Sequence, residues 1–555
     1  MKSGILMLAL WMGIVLSCST TGSPSETGNS GVVKGVNFSQ WFEASSPHGI
    51  QFTKYTEQDF INAKSLGVNS IRLPINLHSM TLGAPDYQLD PLFLEFLDIA
   101  VDWAEKYQLR IILDNHSFDP VKPTEPEVEA ILLPVWAQMA EHFKDRGEYV
   151  LYEVLNEPHG IAAETWGAIQ GRAIETIRQI DTSHIIIVGG IDYNSVSALA
   201  SIPEYTGANL MYTFHFYDPY LFTHQGATWG EPSLASLRGV PFPYDKNRMP
   251  KVPADLAGTW IPDSLTWSYP ADATYETLEK RLDEAAAFAK ERGVPVFCGE
   301  FGVYIPNSPA DDRVKWYAFV ARALDARNIA RTSWDYFGGF GLFKTENSGD
   351  INSDLNTGVV KAMGFTPPPQ KQSQPVKTGF VIYDEYPAQM ISVQHWGESA
   401  FDLYDTRAAE GKYALRWSNP APYNQFSWSF GRPVDWTYLK TNGYAIQFMA
   451  KARRSGPPMQ FDVRFINSEN ETSIPWRIRY QIDETKLPAD GEWHTIRIPL
   501  TEMREQGAWL NTTQEWRNPQ GLFSWDNIAR LEFTRENEKA LLDCDMWFDD
   551  IEITK

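Results

Sequence analysis

Two glutamates follow short apolar runs that are typical of buried β-strands. Glu157 comes after Val150-Leu-Tyr-Glu-Val-Leu-Asn156, and Glu300 comes after Pro295-Val-Phe-Cys-Gly299. Two carboxyl groups can hydrolyse a glycosidic bond when one is protonated and assists the leaving oxygen while the other is ionised and attacks the sugar. We therefore predict glycoside hydrolysis, provided that the fold brings both glutamates to one cleft.

Further side chains suited to binding a sugar stand at the ends of other strand-like runs. They are Arg72, His116, Asn156, His215, Tyr217 and Trp334. One such residue alone is more often structural than functional, but their joint occurrence at successive strand ends indicates a site. Asp114, Glu153 and Asp335 are acidic as well, and we expect them to lie behind the site or at the surface.

The elements that must position these residues alternate along the chain. Short β-rich runs and stretches of helical period follow one another, which is the pattern of a parallel sheet built from β/α units. Strands are expected to begin near Gly35, Val68, Arg110, Val150, Ile185, Leu210, Pro295 and Arg331. Eight units predict an α/β fold, a (β/α)8 barrel over residues 33–364. Since strand ends line the mouth of a barrel, Glu157 and Glu300 on strands four and seven would face each other.

Two of the helices have recognisable ends. Thr56 and Asp59 form a capping-box pattern, and Gly67 is the expected stop of that helix. A second helix is predicted from about Thr274 to Gly293.

The motifs at the strand ends resemble those of glycoside hydrolase family 5, the cellulase-type barrels. They are Ile71-Arg72-Leu-Pro74, Asp114-Asn-His116, Asn156-Glu157-Pro158, His215-Phe-Tyr217, Gly299-Glu300-Phe-Gly302 and Ser333-Trp334-Asp335. The resemblance implies a retaining double displacement, with Glu157 as acid/base, Glu300 as nucleophile and their carboxyl groups about 5 to 5.5 Å apart. No metal or organic cofactor is expected for catalysis.

The resemblance also implies roles for the other site residues. Arg72 and Tyr217 would keep Glu300 ionised and oriented, and Asn156 would bind the sugar 2-hydroxyl. Burial would raise the pKa of Glu157 toward neutrality. The residues expected to contact sugar hydroxyls, the acid/base or the sugar face are His116, His215 and Trp334.

A long aromatic segment separates Phe216 from Thr274, and it leaves the barrel on the face where barrel enzymes do their chemistry. It contains Phe222, Trp229, Phe242, Tyr244, Trp260 and Trp267. We expect it to form a wall or lid of the substrate cleft, with Trp229 binding sugar. The alternative is that its aromatic side chains fold inward as a satellite core.

The substrate is less closely defined than the reaction. The segment from Phe222 to Trp229 resembles a loop of family members that act on β-1,4-glucan, so internal cleavage of cellulose or a related β-glucan is the first expectation. Mannan, xyloglucan and mixed-linkage glucan are alternatives. Two other hypotheses are a transglycosylase, which passes the intermediate to a sugar, and a surface glycan-binding lipoprotein without catalysis.

The first residues have the pattern of an export signal, with Lys2 before a short apolar run that ends at Ser17-Cys18. That run is too short to span a membrane comfortably, and its end resembles the lipobox of bacterial lipoproteins. We predict a signal peptide at 1–17, lipidation at Cys18 and a flexible tether at 18–32, with a plain secretory peptide as the alternative. The protein would lie on the cell surface or in the periplasm, or otherwise be secreted.

A second domain follows the barrel. A proline-rich polar tract at 365–376 predicts a linker, and the period-two alternation beyond it predicts an all-β, jelly-roll-like sandwich at 377–555. This domain resembles carbohydrate-binding modules. Its candidate sugar-stacking residues, for which burial in the core is the alternative, are Trp476, Tyr480, Trp493, Trp509 and Trp516. Asp384, Asp549 and Asp550 could hold a structural Ca²⁺ ion, although a charged, solvated strand end is nearly as well supported.

The overall charge excludes some partners. A formal net charge of -22 repels phosphate backbones and anionic lipid headgroups, so nucleic acid is not expected as a partner. Membrane contact is expected only through the lipid anchor. Cys298 and Cys544 fall in different predicted domains, which argues against a disulfide. We expect a monomer that binds a polysaccharide.

Overall fold

The computed structural model describes residues 34–555, apart from 118, 208, 345–348, 373–375, 470–473, 511–512 and 537–543. The predicted signal peptide, the lipidation site Cys18 and the tether lie outside the described residues. No helix within the described part of the chain has the length and apolar character needed to cross a membrane.

Eight parallel strands close into a barrel in the order in which they occur along the chain. They are β1 Lys34–Asn37, β2 Ser70–Ile75, β3 Arg110–Asn115, β4 Val150–Glu153, β5 Ile185–Gly189, β6 Leu210–Phe216, β7 Val296–Phe301 and β8 Ala330–Ser333. Each begins close to its predicted start, so the predicted (β/α)8 barrel is confirmed. Their near-continuous apolar composition reflects burial on both faces, since helices cover the outside of the barrel.

Helices surround this barrel and also occupy its connecting segments. They are α1 Glu57–Leu66, α2 Pro91–Lys106, α3 Glu129–Phe143, α4 Ala163–Arg178, α5 Ile191–Asn194, α6 Tyr220–Thr223, α7 Ile261–Asp263, α8 Tyr269–Asp272, α9 Tyr275–Arg292, α10 Ala310–Ala326 and α11 Thr357–Ala362, with α12 Thr437–Thr441 in the second domain. The predicted capping box of Thr56 and Asp59 begins α1, and Gly67 ends it with a φ of 93°. Thr274 and Gly293 bound α9 as predicted.

The interior of the barrel is a small apolar layer that supports the acidic strand ends above it. It consists of Ile112, Leu151, Ile187, Met211, Phe297 and Ala330. Side chains alternate along a strand, so Asp114 and Glu153, which lie two residues after Ile112 and Leu151, point into the same interior. The barrel therefore places these carboxylates on top of an apolar layer.

The second domain is the predicted β-sandwich. Its strands are β9 Phe380–Tyr383, β10 Ser392–Trp396, β11 Ala400–Asp405, β12 Ala414–Ser418, β13 Gln425–Val434, β14 Ala445–Arg454, β15 Gln460–Asn467, β16 Arg477–Asp483, β17 Asp490–Pro499, β18 Arg504–Leu510, β19 Glu515–Arg517, β20 Ile528–Thr534 and β21 Cys544–Thr554. A seven-stranded sheet runs β10-β13-β20-β15-β16-β18-β19, and a second sheet runs β11-β12-β21-β14-β17 with β9 beside β21. The paired strands are antiparallel and enclose an aromatic core.

The two domains are in contact. Tyr386 and Tyr404 of the sandwich pack against Phe96 of α2 in the barrel, with ring centroids 6.1 and 5.1 Å apart. Within the predicted linker 365–376, Phe365 is buried in the barrel, and the Thr366 N–H donates to a main-chain carbonyl of α1. Cys298 and Cys544 are both buried and free.

Barrel closure depends on a glycine where β1 passes between β2 and β8. A Cβ at Gly35 would lie 2.1 Å from the Ser70 carbonyl oxygen and 2.7 Å from Thr332 Cγ2. We expect Gly35→Ala to lower the free energy of unfolding by about 1–3 kcal/mol, because β1 must shift to relieve the overlap. Thermal and urea unfolding of the full chain measure this effect. The control is Gly258→Ala, where a Cβ meets nothing within 4 Å, and equal unfolding midpoints for both variants would contradict the prediction.

Candidate active site

Arg72, the third residue of β2, is fully buried and links the strand ends around it. Its Nε and Nη2 donate to the two carboxylate oxygens of Glu153 at 2.8 and 2.9 Å. Nη1 donates to Glu300 Oε1 at 2.8 Å, and Nη2 donates to Asn156 Oδ1 at 2.8 Å and lies 3.0 Å from Asp114 Oδ2. Burial alone would lower the pKa of Arg72, but the carboxylates of Asp114, Glu153 and Glu300 outweigh it and raise the pKa well above its usual value.

Glu300 is held from two sides. Arg72 binds one carboxylate oxygen, and the Tyr217 hydroxyl donates to the other at 2.8 Å. The register between β6 and β7 shifts just before Glu300, and a Cβ at Gly299 would lie 2.8 Å from Thr213 Oγ1. Glycine therefore allows the close approach of β6 that brings the Glu300 carboxylate to the mouth of the barrel.

Glu157 lies across the mouth with a left-handed backbone, φ 47°. Its Oε1 is 2.6 Å from His215 Nδ1, and oxygens of Glu157 and Glu300 lie within 4.8 Å of each other. Burial raises the pKa of Glu157 to about 7, against the opposing influence of His116 and Arg72. The two carboxyl groups are thus close together but differ in environment, which suits a protonated acid beside an ionised nucleophile.

His215 lies between these carboxyl groups. Its Nδ1 is 3.6 Å from Glu300 Oε2 as well as bonded to Glu157. Burial lowers the pKa of His215 to about 4, so the ring is neutral near pH 7. A neutral imidazole can accept from Glu157 when that carboxyl is protonated and can donate to it when it is ionised, depending on the tautomer.

A flat surface lies beside the glutamates. The rings of Trp334 and His116 are stacked, with centroids 5.5 Å apart and an interplanar angle of 14°. His116 Nδ1 is 2.7 Å from Asp114 Oδ2, and its Nε2 is 3.3 Å from Asn156 Nδ2. Burial favours the neutral ring, but the carboxylates of Asp114, Glu43 and Glu300 raise the pKa of His116 to about 9. All eight residues predicted at strand ends therefore converge on one cleft.

Several polar residues of this cleft were not predicted as part of it. Asn37 accepts from Arg72 and donates to the Gly299 carbonyl at 3.1 Å, and Glu43 Oε1 lies 4.0 Å from His116. Asp114, Glu153 and Asp335 lie behind the site and are buried rather than at the surface. The signal for Asp114 and Glu153 was their alternation with inward-facing apolar residues, whereas nothing in the sequence distinguished Glu43.

The aromatic segment between β6 and α9 combines the two alternatives. Phe222, Phe242 and Tyr269 are buried, as a satellite core requires. Trp229 is 42% exposed, with its ring 5.0 Å from that of Tyr304 and 6.2 Å from that of Phe340. Phe340 in turn contacts Tyr217 at 6.0 Å. The segment thus places Trp229 at the edge of the cleft, one ring away from the tyrosine that binds Glu300.

The three aspartates of the predicted calcium site lie together in the sandwich. Carboxylate oxygens of Asp384, Asp549 and Asp550 are within 4.8 Å of one another. Asp549 already accepts from the main-chain N–H groups of Ala409 and Asp550 at 2.8 and 3.0 Å. Burial nevertheless raises the pKa of Asp549 to about 6 against these bonds, and calcium binding stays a prediction.

Comparison with known proteins identifies the barrel. The family model described as cellulase (glycosyl hydrolase family 5) matches residues 26–338. The chain belongs to glycoside hydrolase family 5.

Family relatives are similar over the barrel and, in one case, over both domains. Endoglucanase 3 of Fibrobacter succinogenes is 30% identical over 355 residues, which cover 60% of this chain and 52% of that protein. Endoglucanase H of Acetivibrio thermocellus is 25% identical over 539 residues, which cover 91% of this chain and 52% of that protein. The chain thus spans about half the length of these two family relatives.

Solved structures of the family agree with the fold. An endoglucanase of the hyperthermophilic Thermotoga maritima is 25% identical, covers 60% of this chain and 98% of its own, and has a TM-score of 0.51. A structure of the same bacterium's enzyme in complex with mannotriose is 25% identical, with the same coverage and a TM-score of 0.50.

The environment of Glu157 predicts a pH dependence if this residue is the catalytic acid. Such an acid must be protonated when the leaving oxygen departs, and burial raises the pKa of Glu157 to about 7. We therefore expect kcat/KM for a soluble β-glucan to fall as the pH rises through about 7, above the ~4.3 of an ordinary glutamate. A dinitrophenyl glycoside is the control: its leaving group needs no proton, so its kcat/KM should not fall through this pH range. A fall centred near pH 4 to 5, or one that persists in Glu157→Gln, would contradict this assignment.

Proposed function

We propose that the protein is a retaining endo-β-1,4-glucanase that acts by double displacement. The observation that carries this proposal is the approach of Glu157 and Glu300 to within 4.8 Å at the barrel mouth. Retaining enzymes have carboxyl groups about 5 to 5.5 Å apart, whereas inverting enzymes need about 6.5–9.5 Å to admit a water between them. The observed approach supports direct attack by one carboxylate.

The reaction proceeds in two steps. Glu300 attacks the anomeric carbon while Glu157 gives its proton to the glycosidic oxygen, so the leaving sugar departs with a free hydroxyl and a glycosyl ester forms on Glu300. Glu157, now ionised, removes a proton from a water molecule, whose oxygen attacks the same carbon and releases Glu300. The two inversions retain the configuration, and both carboxyl groups return to their initial protonation. These steps use the two carboxyl groups and require no cofactor.

The surrounding residues favour this division of roles. Arg72 and Tyr217 both donate to Glu300, which supports its proposed role as the nucleophile. Asn156, which accepts from Arg72, would bind the 2-hydroxyl, a contact that strengthens in the transition state. His116 and Trp334 form a flat surface on which a sugar ring can stack.

The substrate follows from the relatives and is the least specific part of the proposal. The names Endoglucanase 3 and Endoglucanase H favour internal cleavage of β-1,4-glucan. The mannotriose complex of the Thermotoga maritima enzyme supports mannan as a second substrate class, and xyloglucan and mixed-linkage glucan use the same chemistry. The intact pair of glutamates argues against a purely glycan-binding protein.

The proposal predicts which polysaccharides are cleaved and what two variants produce. The full chain should rapidly lower the viscosity of carboxymethyl cellulose or mixed-linkage glucan, as internal cleavage requires. Glu300→Ala and Glu157→Ala should each lose about three orders of magnitude in kcat or more while remaining folded. With azide, Glu300→Ala should yield the inverted glycosyl azide and Glu157→Ala the retained one, because azide replaces the nucleophile in the first and water in the second. Near-normal turnover in either variant would contradict the assignment.

We further propose that the sandwich binds the polysaccharide on the outward face of its seven-stranded sheet. On that face Arg464 and Glu532, both almost fully buried, are joined at 2.6 Å, and Arg464 also donates to Gln425 at 3.2 Å. Trp396 pairs with Gln425 across β10 and β13 and is 62% exposed. An exposed indole beside a fixed polar network suits a sugar, whose ring stacks while its hydroxyls form hydrogen bonds. Of the predicted stacking residues, Trp476 is buried and Trp516 is exposed.

Binding by the sandwich can be measured apart from catalysis. We expect Trp396→Ala to weaken the affinity of the full chain for soluble β-glucan about tenfold, as loss of one stacking contact allows. Affinity electrophoresis in gels that contain the polysaccharide reports this change. The control is Tyr438→Ala, which removes an exposed aromatic residue on α12. Equal mobility of Trp396→Ala and the wild-type chain would contradict a role for this face.

The proposed location is outside the cytoplasm, where polysaccharides occur. An export signal at residues 1–17 and lipidation at Cys18 agree with such a substrate, and the formal charge of -22 disfavours nucleic acid as a partner. Labelling of the wild-type chain with a fatty-acid analogue, and loss of the label in Cys18→Ala, would indicate a lipid anchor. Absence of label in both would indicate a plain secretory peptide.

A further inference from the structure

The segment between β1 and α1, residues 38–56 and here called the first loop, connects the active site to the sandwich. It leaves the barrel at the catalytic end, because every βα connection does. Its only regular structure is two single 3-10 turns, Pro47–Gly49 and Phe52–Lys54. A surface connection this long depends for its conformation on the bonds that it makes to itself and to its neighbours.

One part of the first loop contacts the catalytic machinery. The Ser39 hydroxyl donates to Asp335 at 2.7 Å, directly after Trp334, and both partners are buried. Glu43 accepts from the Gln40 main-chain N–H and lies 4.0 Å from His116. The position of these two side chains therefore shapes the flat surface formed by His116 and Trp334.

The other part of the first loop is bound by polar groups of the sandwich. The Tyr404 hydroxyl donates to the Ile50 carbonyl and accepts from the Phe52 N–H at 3.2 Å. The Gln51 side-chain amide makes two bonds to the backbone of Val393, donating at 2.7 Å and accepting at 3.1 Å. The second domain therefore forms hydrogen bonds with three successive loop residues: with the Ile50 carbonyl, the Gln51 side chain and the Phe52 N–H.

Aromatic packing joins the two parts of the first loop. The Phe52 ring lies 5.4 Å from that of Tyr386 in the sandwich and 6.0 Å from that of Trp41. The Trp41 indole N–H donates to the Phe52 carbonyl at 2.7 Å, and Trp41 also packs on Tyr55 at 5.1 Å. Tyr55 donates to the Ser39 carbonyl at 3.1 Å. Buried side chains therefore form a continuous path from the sandwich to Ser39, which precedes Gln40, whose main-chain N–H donates to Glu43.

We propose that the sandwich is a positioning element of the active site: through Tyr404, Tyr386 and Val393 it holds the first loop so that Glu43 stays beside His116 and Ser39 stays on Asp335. This inference rests on the proposed glycosidase activity for its kinetic consequences but not for its structural ones. A binding module on a free tether would affect only capture of the polymer. A positioning element also affects the cleavage of small soluble substrates, since displacing a contact group by about 1 Å can cost up to about 10²-fold in rate.

The decisive variant is Tyr404→Phe, which removes one buried hydroxyl and leaves the Ile50 carbonyl and the Phe52 N–H without that partner. The matched control is Tyr383→Phe. Tyr383 is also buried in the sandwich, but its hydroxyl donates at 2.9 Å to the Leu403 carbonyl and not to a group of the first loop. Tyr404→Phe loses two hydrogen bonds and Tyr383→Phe loses one, so Tyr404→Phe is expected to lose more thermal stability, and the kinetics are compared at a temperature at which both variants are folded.

The kinetic measurement uses dinitrophenyl β-cellobioside, a soluble substrate that does not depend on polymer capture. We expect Tyr404→Phe to lower kcat/KM about tenfold through a higher KM, and Tyr383→Phe to stay within about twofold of the wild-type chain. In a Glu43→Gln background the effect of Tyr404→Phe should shrink to about twofold or less, because the side chain that the loop positions is already altered. Equal kinetics for folded Tyr404→Phe and wild type, or full additivity with Glu43→Gln, would overturn the proposal.

A second measurement is independent of activity. Hydrogen exchange followed by mass spectrometry should show faster exchange in peptides covering residues 38–56 for Tyr404→Phe and for Gln51→Ala, but not for Tyr383→Phe. If the wild-type chain were inactive, the proposed function would fail, and this result would still decide the structural claim. Unchanged exchange at residues 38–46 in both Tyr404→Phe and Gln51→Ala would overturn the positioning role of the sandwich.

Discussion

A buried guanidinium must be paired wherever it lies, and the architecture of this active site follows from that requirement. Arg72 has no access to solvent, so its donors need acceptors from within the barrel. Glu153, Asp114, Glu300 and Asn156 supply them from the ends of β3, β4 and β7. These acceptors meet only when the eight strands close in register. Correct folding of the barrel therefore also places Glu300, the proposed nucleophile.

The two proposed catalytic carboxyl groups have different neighbours. Glu300 accepts hydrogen bonds from the Arg72 guanidinium, a permanent cation, and from the Tyr217 phenol. Glu157 is buried next to His215, whose ring is neutral near pH 7, so burial is opposed only by more distant cations. Oxygens of the two glutamates lie within 4.8 Å of each other. Their environments nevertheless suit opposite roles, because one carboxyl group is paired with a cation and the other is not.

The sequence was sufficient for the parts of the structure that depend on local patterns. Strand-like runs, a capping box and a terminal glycine predicted the barrel, and the residues after each run predicted the cleft. Glu43 could not be found in this way, since its place depends on the packing of a long loop. Nor did alternation in the sandwich reveal that Tyr386 and Tyr404 face another domain, because an interface aromatic and a core aromatic have the same sequence pattern. Contacts between two surfaces that are distant in the sequence leave no mark on the periodicity of either segment.

Contact between the domains also changes how the sandwich can contribute to turnover on long polymers. For two sites joined by a flexible tether, the local concentration that one site experiences near the other depends on tether length. Here Tyr404, Gln51 and Phe52 join the domains directly, so the span between the Trp396 face and the cleft is set by the interface and not by residues 365–376. Avidity then depends on whether one glucan chain has the length and direction to reach both sites. If the proposed Trp396 face binds glucan, a match in geometry rather than flexibility decides which polymers benefit from it.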